Sequence, residues 1–267
     1  MKVLLLDAYN LIHRARSGFT KGDYPIIYNF FRGVRPLIEK FTPTKVYFVL
    51  EGKPKHRMHL SEVYKANRPR QDTSFHEQKA TIINIIKECF PFESVFHPDF
   101  ECDDVIGSLV SYHASLSHDC TVVSTDSDFI QLHNVCDVKL YNPVKKTFVD
   151  KPDYDYVTWK ALRGDKSDNI FGIPGIGDKK ATGLVNNPDQ LRELLKNPDK
   201  MKIFERNVHL IRLVDVRNAS GDIVRYPETR EWESLRDVFK NMGFFSMTDD
   251  KPWTKYVNTF NCIDNNC

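Results

Sequence analysis

Short apolar runs rich in β-branched and aromatic residues punctuate the first half of the chain: VLLL at 3–6, VYFVL at 46–50, SVF at 94–96, TVV at 121–123 and VKLY at 138–141. Runs of this length, bounded by charges and turn residues, predict strands. Between them, 26–40, 79–89 and 104–116 repeat apolar residues at helical spacing. Strands alternating with helices predict an α/β fold, with a mainly parallel sheet covered on both faces. Beyond about residue 155 the strand signal fades, except at 208–216, and helical periodicity dominates. The expected organisation is an α/β domain over 1–155 and a helical region over 156–267, packed against the sheet.

The polar residues that end the strands change the picture. Asp7 closes the first strand, Glu51 follows the second, and Asp126 and Asp128 follow TVV. In open parallel sheets, ligands sit outside the carboxyl ends of the strands, so separate strands deliver acids to one rim. FECDDVIGSLV adds Glu101, Asp103 and Asp104 at a predicted helix start. Glu101 and Asp104 are three apart, on one helical face. Any one of these acids is explained as a cap or turn residue. Their coincidence is not.

RGDKSDNIFGIPGIGDKKA, residues 163–181, supplies Asp165 and Asp168, then a glycine turn and Lys179–Lys180. That makes nine carboxylates which, if they converge, cannot all stay ionised unaided. The donors are oxygens with no clustered His or Cys, which favours Mg²⁺ or Mn²⁺ over Zn²⁺. Mg²⁺ keeps waters, so many of the nine act through water. Two such ions about 3.5–4 Å apart suit phosphodiester cleavage. In the turn, glycines let backbone N–H groups approach phosphate oxygens. Its G-x-x-G-x-G spacing, with no predicted strand before it, is not a dinucleotide fingerprint.

Composition sets outer limits. The 267 residues are 41% hydrophobic and 28% charged, enough for a real core. No apolar run approaches the roughly 20 residues of a membrane span, and VLLL is too short for a signal-peptide core. Six cysteines without C-x-x-C spacing read as reduced thiols in a cytoplasmic protein. The net charge of +2 is unevenly spread, because residues 1–100 hold 16 Lys/Arg against 10 Asp/Glu. The excess concentrates at 52–71, where Lys53, Lys55, Arg57, Lys65, Arg68 and Arg70 face one acid, Glu62. This is either a solvated basic face or a phosphate-tracking surface with Tyr64 as a base-stacking platform.

LLLDAYNLIHRA, VYKANRPR, ECDDVIGSLV, STDSDFIQL and the 163–181 stretch, in this order, resemble the 5′-nuclease (flap endonuclease) family over roughly residues 1–245. This family includes the 5′-exonuclease domain of bacterial DNA polymerase I and free-standing phage 5′-exonuclease/ribonuclease H relatives. The resemblance implies an α/β domain with a helical arch, here about 52–80, and a helix-three-turn-helix that binds duplex, here about 160–190. It places Asp7, Glu101, Asp103, Asp104, Asp126, Asp128, Asp165 and Asp168 at metal positions, with two or more Mg²⁺ or Mn²⁺ ions. Lys65 and Arg68 match arch cations near the scissile phosphate, and Arg14 matches a basic position of the first motif. Asp7 and Asp126 serve the chemistry through the metal. Gly172, Gly175 and Gly177 fall in the duplex-binding hairpin, where a potassium ion is often seen. Glu51 stands where the family usually has Asp, and its extra methylene still reaches a metal-bound water.

The implied activity is metal-dependent 5′-3′ exonuclease and structure-specific flap cleavage of DNA during replication, including RNA primer removal. The implied substrates are duplex DNA with a 5′ flap, nick or RNA–DNA hybrid, and the protein is expected to be a monomer without a membrane partner. The chain stops where a polymerase would begin, which fits a free-standing nuclease. A PIN-type ribonuclease shares the acidic rim but lacks the GIPGIG hairpin. A haloacid-dehalogenase-type phosphatase needs a second acid after Asp7, where Tyr9 stands. A non-catalytic DNA-binding protein of the same fold would have shed acids.

Overall fold

The computed structural model describes residues 1–18, 22–218 and 221–263. Elements run in the order β1 (Lys2–Asp7), α1 (Ala8–Ala15), α2 (Pro25–Phe41), β2 (Lys45–Val49), α3 (Lys55–Leu60), α4 (Thr73–Cys89), β3 (Glu93–Phe96), α5 (Cys102–Ser115) and β4 (Asp119–Val123). A 3-10 helix (Ser127–Asn134) leads to β5 (Lys139–Asn142) and β6 (Thr147–Phe148). Then come α6 (Tyr156–Arg163), β7 (Gly164–Asp165), β8 (Ile170–Phe171), α7 (Asp178–Val185), α8 (Pro188–Leu195) and α9 (Pro198–Ile211). The last elements are β9 (Val224–Tyr226), α10 (Trp232–Asn241), α11 (Phe245–Thr248) and α12 (Asp250–Asn258).

The main sheet has the strand order β6-β5-β4-β1-β2-β3-β9. The five predicted strands are its parallel centre, and both edges, β6 and β9, are antiparallel. Side chains alternate across it. Leu4, Leu6, Val46 and Phe48 face α1, α2 and α4, whereas Val3, Leu5, Tyr47 and Val49 face α5. Burial on both faces is why these strands read as continuous apolar runs.

The apolar signal at 208–216 is not a strand. Asn207, Leu210 and Ile211 are the buried side of the last turn of α9, and Leu210 and Ile211 pack on Val157 and Ala161 of α6. The strand that does form, β9, lies further on and pairs with β3. From there the chain returns to the sheet. Leu235, Phe239, Phe244, Trp253, Tyr256 and Phe260 join the same core as Phe31 and Phe90. Between β6 and β9 in the chain, α6–α9 build two small cores, one of them joined by Tyr64. Cys89, Cys102, Cys120 and Cys136 form no disulfide, and Cys267 lies outside the described residues. Among the described residues no helix is long and apolar enough to cross a membrane.

The returning C-terminal layer should matter to stability. Phe239 is fully buried, with its ring 5.1 Å from that of Phe31. Phe239→Ala should cost about 3–5 kcal/mol in urea unfolding with an unchanged slope. A loss below about 1 kcal/mol would show that this layer is not part of the core.

Candidate active site

β1, β2 and β4 run parallel, so their carboxyl ends share one edge. Asp7 ends β1 and caps α1, accepting from Asn10 N at 3.0 Å, while Ser124 Oγ donates to its other oxygen at 2.7 Å. Burial pushes its pKa up to about 6 against those hydrogen bonds, and the charge of Asp126 adds to the rise. Asp103 comes from the first turn of α5. Burial holds it well above the usual carboxylate range, reinforced by Asp126, Asp7 and Glu51. Glu51 opens onto the cleft, yet desolvation by the surrounding protein, with Glu101 beside it, pushes it to about 7. Donor atoms of Asp7, Cys102 and Asp103 all lie within 4.8 Å of one another. Asp126 is exposed at the rim and caps the 3-10 helix through Asp128 N at 2.9 Å.

A second group forms where the helical region meets the sheet: donor atoms of Asp128, Asp165 and Asp168 also lie within 4.8 Å of one another. Lys160, buried on α6, reaches both Asp128 and Asp165. Burial raises Asp128 to about 6 against the pull of Lys160. For Asp165 burial is outweighed by Lys160 and Ser167, which bring it down to about 2. The sequence reading missed Lys160. Its signal was a lysine four residues after Tyr156, on the apolar side of an amphipathic helix.

Asp104 departs from the expected metal set. It is fully buried and bidentate to Arg57, at 2.5 and 2.8 Å, and accepts from Val214 N. Arg57, 2% exposed, also binds Glu101 at 2.8 Å and the carbonyl of Leu210. Most of a presumed DNA-facing cation's donors are therefore spent inside the fold. Glu101 is taken up in the same way, by Arg57, Tyr64 and Lys65.

Tyr64 is not a stacking platform. It is buried against Val157, Ile170 and Leu210, and its hydroxyl donates to Glu101 at 2.8 Å. Within the expected arch, about 52–80, α3 and the start of α4 are helical, but Lys65 and Arg68 lie in the non-helical stretch between them, with Lys65 at φ +56°. Helical spacing therefore does not align these two cations; Asp168 does, 2.6 Å from Arg68 and 3.7 Å from Lys65. Buried Arg57 and Tyr64 also pin the segment to the fold.

The glycine turn divides in two. Gly172 is needed for packing, since a Cβ there would lie 2.2 Å from the Arg163 carbonyl. Gly175, at φ +77°, and Gly177 face open space beside exposed Lys179 and Lys180. α6 and α7 flank the turn and share the core of Leu162, Ile173, Ile176, Ala181 and Leu184. Arg14 does not reach the acids. It lines a separate cleft of about 630 Å³ with Arg32 and Lys146.

The acids instead floor a cleft of about 660 Å³. Asp7, Glu51, Asp103 and Asp126 line it together with Arg16, Lys65, Arg68 and Arg70. Hard oxygen donors that are crowded enough to resist ionisation fit divalent cations. Cations lining the same cleft fit a bound phosphate.

Comparisons with known proteins agree. Residues 2–160 match the 5′-3′ exonuclease N-terminal resolvase-like domain, and residues 152–224 the 5′-3′ exonuclease C-terminal SAM fold. A DNA polymerase I of Rhizobium leguminosarum is 28% identical over 218 residues, covering 78% of this chain and 21% of its own length. The thermostable DNA polymerase I of Thermus thermophilus is 30% identical over 219 residues, covering 75% and 26%. The chain thus spans about a quarter of the length of these relatives. A bacteriophage T5 flap endonuclease, solved with DNA and metal ions, shares the fold at TM-score 0.68 and 16% identity, over 97% of this chain and 99% of that one. Since both carboxylate groups and the basic segment fall inside the matched stretches, the chain belongs to the 5′-3′ exonuclease family.

Proposed function

We propose that the protein hydrolyses DNA phosphodiesters from the 5′ side, at flaps, nicks and primer junctions, with Mg²⁺ or Mn²⁺ as cofactor. The observation that carries this reading is that both carboxylate groups meet Lys65 and Arg68: Asp7 and Asp103 line one cleft with these cations, and Asp168 of the second group pairs with both. Asp7 and Asp103, with Glu51 and Asp126 beside them, would hold one ion, and Asp128, Asp165 and Asp168 another. Bound there, the ions supply an activated water and charge stabilisation for the leaving oxygen. Lys65 and Arg68 orient the phosphate and offset its growing negative charge. Lys160 limits repulsion between Asp128 and Asp165. Gly175, Gly177, Lys179 and Lys180 grip the duplex backbone as a helix-three-turn-helix does, with K⁺ at the turn. The protein works as a monomer; the α/β domain supplies most of the chemistry, and the α6–α9 region grips the duplex and adds Asp165 and Asp168.

Labelled flap, nicked and RNA–DNA hybrid substrates should be cut in Mg²⁺ and left intact in excess chelator. Equal cleavage in chelator would end the metal mechanism. Asp126→Asn and Asp128→Asn should each lower the cleavage rate by at least about 100-fold while the protein stays folded.

The raised carboxylates give a signed pH dependence. Without metal, Asp7, Glu51 and Asp128 hold protons more tightly folded than unfolded, so they stabilise at acid pH. That contribution is lost as pH rises through about 6 to 7. Mg²⁺ requires the ionised forms, so its gain in Tm should be large near about pH 8 and small near about pH 5.5. Equal gains at both would place the ion elsewhere.

Lys179→Ala and Lys180→Ala should each flatten the salt dependence of DNA binding by about one unit, with the rate at saturating DNA unchanged. An unchanged slope would return them to solvated surface.

A further inference from the structure

We propose that Phe171 stacks on a base of the bound DNA beside the cut site, an inference that rests on the nuclease reading above. Phe171 is 66% exposed, more than any other large hydrophobic residue among those described. Isolated exposed apolar residues are ordinary on protein surfaces, so exposure alone decides nothing. What sets Phe171 apart is how firmly it is held and what surrounds it.

It lies on β8, directly opposite Gly164. Opposed residues share a face of a ladder, so the ring has no cross-strand side chain to cover it. The glycine is enforced. At φ +81°, a Cβ on Gly164 would lie 2.3 Å from Gly172 N. The Phe171 carbonyl accepts from Asn207 Nδ2 at 2.9 Å and from Arg206 at 3.2 Å, and Asn207 is itself fully buried. Ile170 turns inward as Phe171 turns outward. The backbone is thus fixed and the ring is presented to solvent at little further entropic cost.

The neighbourhood selects the partner. The same hairpin carries Asp165 on its other strand, opposite Ile170, and Asp168 in its turn. The ring is therefore on the other face of a hairpin that bears two of the carboxylates. After it comes the glycine turn with exposed Lys179 and Lys180. Exposed Lys166 lies in the hairpin turn, and Arg206, which pairs with no carboxylate among the described residues, sits against its backbone. A neutral ring framed by cations complements a polyanion that carries aromatic bases: the cations take phosphates and the ring takes a base face. Its place on the hairpin that carries Asp165 and Asp168 assigns it to a base near the junction rather than to remote duplex.

The test uses the full chain and a nicked or flapped duplex, with binding measured in chelator. Phe171→Ala should weaken binding about tenfold, leaving the salt slope and the Mg²⁺-dependent rate at saturating DNA unchanged. Phe171→Trp should bind like the parent, and the added indole fluorescence, taken as the difference from the parent, should be quenched by DNA. Binding by Phe171→Ala within twofold of the parent, or an indole that does not respond to DNA, would overturn the stacking role. If in either case the parent still cuts in Mg²⁺, only this inference fails. A parent that binds no DNA would instead bring down the functional reading beneath it.

Discussion

Mutual repulsion among carboxylates gathered at one sheet edge is the constraint around which this molecule is arranged. Charges a few ångströms apart in a poorly solvated cleft interact by several kcal/mol, so the scaffold must be rigid and counter-charges must be placed with care. Rigidity comes from the five parallel strands, buried on both faces, and from the helices that Asp7 and Glu101 begin. Counter-charge comes from three places: Arg57 neutralises Glu101 and Asp104, Lys160 bridges Asp128 and Asp165, and Lys65 with Arg68 reaches Asp168. Where no such partner is at hand, as at Asp103, proton affinity rises.

The counter-charges differ in what they leave free. Arg57 is 2% exposed and its donors are consumed by two acids and backbone carbonyls, so it behaves as a permanent strut between α3, α5 and the end of α9. Removing one member of such a buried set leaves an uncompensated charge and costs about 3–5 kcal/mol. Arg68, by contrast, is half exposed, and its contact with Asp168 competes with any anion in the cleft. Buried cations hold the site together and rimward ones face the substrate. That division could not be read from residue type alone.

Legibility in the sequence followed range of interaction. The strands were visible because β-branched runs are local, and so was the acidic rim, because strand ends bring residues together by rule. What failed needed tertiary knowledge. Tyr64 and Arg57 sit in a basic, polar stretch, yet a niche formed by α6, α9 and Glu101 buries both. The 208–216 run looked like a strand because a buried last helical turn followed by apolar loop residues imitates a continuous apolar run. β9 is only three residues long and gains its stability from pairing with β3, whose Val95 lies 130 residues before its partner Arg225.

The same logic explains why the fold returns to its beginning. The α6–α9 region interrupts a single hydrophobic core whose last members, Phe239 to Phe260, close over Phe31 and Phe90. Asp165 and Asp168 reach the site from that inserted region, whereas Asp7 and Asp103 belong to the sheet domain. Anchoring the chain on both sides of the insertion, at β6 before it and at β9 after it, fixes the two carboxylate groups relative to each other. Two carboxylate groups that would each hold an ion require that fixation, because a metal site tolerates little movement of its ligands. The C-terminal layer, which completes the core flanking the insertion, therefore helps to fix where the two carboxylate groups stand.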